Sequence, residues 1–155
     1  MFKGLLNCAI CATILLGGNM ETKTIQQYLT SSSQAQVIIN NEYKAVDDIN
    51  ELNSVLNNML ENSHTMPAFG VSIHSETLKA LQSGVWLKLQ YNGTQTIDEM
   101  SFDELLIEVN PDFNGFNIIR GNRGIYEGRC FYIDLIDTTM QPLYDVLTLN
   151  CVVKG

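Results

Sequence analysis

Between Lys88 and Arg120 the chain carries six carboxylates, Asp98, Glu99, Asp103, Glu104, Glu108 and Asp112, and no basic side chain. A second block, Asp47, Asp48, Glu51, Glu61 and Glu76, lies between Lys44 and Lys79, again without a base. Unneutralised carboxylates at this density either keep a surface solvated or present negative charge to a basic groove on another macromolecule. On the second view the six residues from Asp98 to Asp112 form the expected partner-binding set. Arg120, Arg123 and Arg129, with Tyr126 and Phe131 nearby, mark a hairpin whose guanidinium groups either pair with those acids or form a small anion-binding tip.

The remaining reactive side chains are sparse. His64 and His74 are the only histidines and lack the i, i+4 spacing of a helical metal site. Cys8 and Cys11 form a Cys-x-x-Cys inside an apolar run, with no second such pair to complete a zinc site. Cys130 follows Arg129, but alternation along a strand sends neighbours to opposite faces, so a buried structural thiol is expected. Gly-x-Ser-x-Gly, His-Glu-x-x-His, P-loop and dinucleotide fingerprints are all missing, and "GNRGIYEG" lacks the Lys-Ser/Thr ending and helix of a phosphate loop. No cofactor and no metal are expected.

The elements that must position these residues follow from periodicity. "ETKTIQQYL" puts Ile25, Tyr28 and Leu29 at helical spacing. "QVIINNEYKAV" places β-branched residues before Asn40-Asn41, a pair that tolerates the positive φ of a tight hairpin. "VDDINELNSVLNNMLENS" repeats Val46, Ile49, Leu52, Val55, Leu56, Met59 and Leu60 at three- and four-residue steps and predicts the long amphipathic helix of the fold. "AFGVSIH" predicts a strand, Ser75 a cap for the short helix "ETLKALQSG", and Gly84 its end. "VWLKLQY" alternates as a strand and leads to Asn92-Gly93, a strong hairpin signal.

"SFDELLIEV" has Ser101 and Glu104 in a capping-box pattern and is expected to be a helix, which would set Glu104 and Glu108 one turn apart. "FNGFNII" and "IYEGRCFYIDLI" predict a hairpin through "RGNRG", and Pro142 suits the first turn of a last helix. The expected fold is therefore a single α+β domain over residues 20–155, with antiparallel hairpins packed against one long amphipathic helix and two or three short ones.

Residues 1–19 form a leader with two readings. Lys3 followed by "GLLNCAICATILLGG" has the length of a signal-peptide apolar region, though no Ala-x-Ala site follows it. Alternatively Leu16 to Asn19 permit codons that spell a bacterial ribosome-binding sequence, making Met20 the initiator. Cytoplasmic location follows from the second reading and secretion from the first, where Cys130 and Cys151 form one disulfide.

A chain of 155 residues, 45% apolar and 17% charged, is long enough for one core and too hydrophobic for disorder. Its formal charge of −8 opposes direct binding to phosphate backbones and anionic membranes. The expectation is a small acidic, non-enzymatic protein of a bacterium or mobile element that binds and inhibits or regulates a basic protein or a protein–nucleic-acid complex, without contacting the nucleic acid itself. Anti-CRISPR, antirestriction and toxin-immunity proteins illustrate that class, connected here by size and charge alone. A secreted or envelope-associated protein and an enzyme of unrecognised type are the alternatives.

Overall fold

Asn40 and Asn41 both stand at positive φ, 49° and 71°, as a two-residue turn that follows the twist of its strands requires. The computed structural model, which describes residues 23–154, sets β1 (Gln34–Ile39) and β2 (Glu42–Ala45) on either side of this turn. The expectations for the leader, with Cys8 and Cys11, fall outside the described residues. Before the hairpin, α1 (Ile25–Leu29) begins with a reciprocal cap: the Gln27 backbone N–H donates to Thr24 Oγ1 at 3.1 Å, and the Thr24 N–H to Gln27 Oε1 at 2.8 Å.

The chain continues through α2 (Ile49–Leu60), β3 (His64–Ser72), α3 (His74–Ala80), β4 (Val85–Ile97), β5 (Met100–Val109), β6 (Gly115–Gly121), β7 (Gly128–Asp134) and α4 (Gln141–Lys154). All seven described strands join one sheet in the order β2-β1-β4-β5-β6-β7-β3, every neighbouring pair antiparallel. The expected α+β domain organised by a long amphipathic helix is therefore corrected. The fold is dominated by its sheet, and its four described helices are short.

Three local differences explain the correction. Ser101–Val109 is a strand, not a helix, because β5 sits at the centre of the sheet with apolar groups on both sides. Leu105, Ile107 and Val109 enter one apolar layer and Leu106 the other, and a strand buried on both faces loses its period-two signature. Asn92-Gly93 does not turn the chain: β4 runs through it with a break in register between Gln90 and Gln95. The reversal comes instead at Asp98 and Glu99, with φ of 49° and 67°. Finally, α3 has Ile73 at its N-cap and no side-chain cap, so Ser75 does not serve that role.

Other local signals agree with the structure. The β6–β7 hairpin closes at Arg123 and Gly124, φ 54° and 80°, between reciprocal Asn122 and Ile125 backbone bonds, and Pro142 lies in the first turn of α4.

Helices α1, α2 and α4 cover one face of the sheet, burying Leu29, Leu56 and Leu143 against Leu87, Ile107 and Ile118. Among the described residues, the opposite face receives α3 and the segment after it, where Leu81 packs with Ile38, Trp86, Leu106 and Tyr126. Within α2 the expected stripe points inward: Leu52, Leu56, Met59 and Leu60 are buried, while Asn57 is exposed. Leu56→Ala is expected to destabilise by about 2–5 kcal/mol, since truncation leaves a cavity at a site with no solvent access, and Asn57→Ala to be nearly silent. Urea unfolding of both variants checks this, and equal small effects would contradict the packing of α2.

Candidate functional site

The six carboxylates do not gather into one patch. Asp98 and Glu99 form the β4–β5 turn and Asp112 lies beyond the other end of β5, a ten-residue strand that spans roughly 30 Å at its ordinary rise. Asp103 Oδ2 accepts the Arg123 backbone N–H at 3.1 Å and braces the β6–β7 turn. Glu104 is buried and meets Lys88 Nζ at 3.6 Å. Glu104 and Glu108, expected one turn apart on a helix, lie four residues apart on a strand, where they share a face but are separated by about 13 Å. Glu108 is exposed on the thinly covered face of the sheet.

The arginines are also divided. Arg120 Nε donates to the Arg129 carbonyl at 2.8 Å and Nη1 to the Ser101 carbonyl at 2.9 Å, so its guanidinium ties β5, β6 and β7 together. Burial pushes its pKa down. Gly128 is required beside it: φ is 105° there, and a β-carbon would run into the Arg120 guanidinium. Arg123 and Arg129 remain exposed at this end of the sheet.

Lys88, Glu104 and Tyr126 form the most chemically suggestive cluster. The Lys88 ammonium also lies 5.6 Å from the centre of the Tyr43 ring. Burial, and then the neighbouring Glu104 carboxylate, push the Tyr126 phenol up. Tyr126 stacks on His74 at 5.7 Å, and its backbone N–H donates to His74 Nδ1 at 3.1 Å. The Lys88 and Glu104 side chains are only 16% and 11% exposed, so the cluster locks α3 and the β6–β7 turn onto the sheet rather than meeting a substrate. His64, ten residues before His74, sits at the other end of β3 from this contact.

The feature that sequence reasoning missed is a groove on the same face. Its first part, a cavity of about 420 Å3, has Cys130, Tyr132, Asn117 and Ile119 on the sheet side, Phe69 to Ile73 along one wall, and Glu76, Thr77 and Ala80 of α3 along the other. Through Asn117, Ile119 and Tyr132 it continues into a compartment of about 360 Å3 bounded by Trp86, Glu108, Phe113, Asn114 and Gly115. Phe69, Val71 and Ile73 are 55%, 68% and 57% exposed, and Phe69 leans on Tyr132 with ring centres 5.1 Å apart.

Strand addition at the sheet edges is poorly served. On β3, Pro67 has no N–H to offer, and the register breaks between Met66 and Phe69 and again between Phe69 and Val71. The other edge, β2, is four residues long. The face is the accessible surface, not the edge.

Cys130 opens onto the groove at 5% exposure and is a free thiol. Burial pushes its pKa up, against the smaller opposing effects of the Ser72 hydrogen bond and Arg120, which makes it a poor nucleophile at neutral pH. The side chain of Cys151 lies outside the described ones. No helix among the described residues is long and apolar enough to cross a membrane.

No family model, curated protein or solved structure matches this chain.

Proposed function

We propose that the protein is a non-enzymatic binding module that holds an apolar and basic segment of a partner protein in the groove between β3, α3 and the open half of the sheet, and regulates or inhibits the partner by occupying that segment. The observation that carries this reading is the exposed run Phe69, Val71 and Ile73 along the groove wall. Large apolar side chains clustered on one surface are costly to leave in water and mark contact sites.

The basic character of the partner follows from charge. The chain carries −8, Glu76 and Glu108 line the two parts of the groove, and a field of one sign speeds encounter with the opposite sign. The partner is a basic protein or a protein–nucleic-acid complex met in the cytoplasm. The acids at the β4–β5 turn and at Asp112 contribute to this long-range field, and the groove supplies the contact.

A displayed library of random twelve-residue peptides tests the reading. Selection on the full chain is expected to enrich sequences that combine aliphatic or aromatic residues with Lys or Arg. Phe69→Asp, which alters a mostly exposed side chain, is expected to weaken the selected peptides at least about tenfold, as loss of a central apolar anchor does. Failure to enrich any peptide, or enrichment insensitive to Phe69→Asp, would overturn the assignment of the groove.

A further inference from the structure

The far compartment of the groove has an unusual wall composition. Three of its residues are aromatic, Trp86, Phe113 and Tyr132, and one is a carboxylate, Glu108. Trp86 and Glu108 are direct cross-strand partners on β4 and β5, and Asn117 and Tyr132 are partners on β6 and β7. The strand order therefore sets indole, carboxylate, amide and phenol side by side across four strands.

Each group is held. The Trp86 indole N–H donates to the Ser83 carbonyl at 3.0 Å, which fixes the ring plane. Gly115 lets β6 approach β7 closely: a β-carbon there would lie 2.8 Å from the Ile133 carbonyl oxygen, while the Tyr132 hydroxyl, 3.5 Å away, would be in ordinary contact. Phe113 is 41% exposed and stands at the rim. Glu108 is exposed, and among the described residues it has no ion-pair partner, the two pairs being Lys79 with Glu76 and Lys88 with Glu104.

A carboxylate without a cation beside aromatic rings is complementary to a positive group. The ring faces carry negative quadrupole potential, and a guanidinium or ammonium placed against them also meets the carboxylate. We infer that this compartment is a receptor for one lysine or arginine side chain of the segment bound in the groove. The inference rests on the groove reading above and assigns its basic position: apolar residues lie along Phe69, Val71 and Ile73, and the cation enters between Phe113 and Tyr132 toward Glu108. Arginine is favoured over lysine, because its planar group stacks on a ring while donating two hydrogen bonds to one carboxylate.

Trp86 is the only tryptophan of the chain, so its fluorescence reports on this compartment. The probes are N-acetyl-arginine amide, its neutral isostere N-acetyl-citrulline amide, spermidine, and the peptide Ac-Leu-Leu-Arg-Leu-Leu-amide, each titrated against the full chain with chemical-shift detection at the Asn114 and Asn117 side-chain amides. The arginine amide is expected to perturb Trp86 and both amides saturably, with citrulline at least tenfold weaker and the peptide tighter than either. Glu108→Gln is expected to lower arginine affinity about tenfold and leave citrulline unchanged, and Phe113→Ala to lower it about threefold. Glu61→Gln, at the end of α2, leaves it unchanged.

Equal binding of arginine and citrulline, or insensitivity to Glu108→Gln, would overturn the cation receptor. Spermidine binding more tightly than the peptide would overturn a peptide side chain as its occupant. Peptides that bind through Phe69 but carry no Lys or Arg would overturn this inference and the basic character of the bound segment while leaving the groove as the contact site, whereas the absence of any peptide binding removes the groove as a contact site.

Discussion

Phe102→Ala is expected to destabilise the protein by about 3–5 kcal/mol, the range for removing a fully buried aromatic ring. Phe102 has no solvent exposure and stands where four elements meet. It packs edge-on against Tyr28 of α1 at 5.2 Å, Tyr91 of β4 at 5.6 Å and Phe131 of β7 at 5.9 Å. Edge-to-face contacts add to the area that the ring hides from water. The surrounding rings cannot collapse easily into the void, because the Tyr91 hydroxyl donates to the Tyr28 carbonyl at 2.8 Å and holds both in place. Burial, and then Tyr28, push the Tyr91 phenol up, so that bond persists through neutral and mildly alkaline pH. Against a total stability of about 5–15 kcal/mol, the loss is large. Urea unfolding followed by Trp86 fluorescence measures it as a lower midpoint with an unchanged slope, and a change below about 1 kcal/mol would mean that the ring cluster is not the centre of the core.

The second large effect is expected at Lys88. Its ammonium faces Glu104 Oε1 at 3.6 Å, with both side chains mostly hidden from solvent, and Glu104 Oε2 already lacks a hydrogen bond among the described residues. Lys88→Ala leaves that carboxylate without its cation, a change that costs about 3–5 kcal/mol when a buried pair is broken from one side. The double replacement Lys88→Met with Glu104→Leu removes both charges while keeping apolar volume, and its cost is expected to be near zero. The double-mutant cycle built from Lys88→Met, Glu104→Leu and both together, measured in urea, separates the pair's coupling from the rest. If Lys88→Met, which keeps the volume of the lysine stem but leaves Glu104 without its cation, cost as little as the double variant, the loss in Lys88→Ala would come from packing of the stem rather than from the charge left behind.

What was legible in the sequence was local. The Leu52, Leu56 and Met59 stripe of α2, the Asn40-Asn41 turn and Pro142 at the start of α4 each carry their signal within a few residues, and the structure agrees. Ser101–Val109 was not legible, because a strand covered on both sides presents the same run of apolar residues as a buried helix, and Ser101 with Glu104 imitates a cap. Asn92-Gly93 gave a turn signal that a register break inside a longer strand also satisfies. The groove was hidden for a different reason. Whether Phe69 and Val71 face water depends on β3 ending the sheet beside β7, a pairing between segments some sixty residues apart. The carboxylates were countable from sequence, but a strand alternates its faces and separates its ends, so six neighbours in the chain became five separate environments.

On the function proposed above, contact with a partner is made by the groove and not by the acidic turns or the helix-covered face. The most direct test is a chemical-shift map of the isotope-labelled chain with a display-selected peptide, read at Phe69, Asn117, Ile119, Tyr132 and Glu108 against Asp98, Glu99, Asp103 and Asp112. The expected result is that the first set shifts saturably with one affinity and the second set stays still. Perturbations concentrated at the β4–β5 turn, or over α1, α2 and α4, with the groove unmoved, would contradict it.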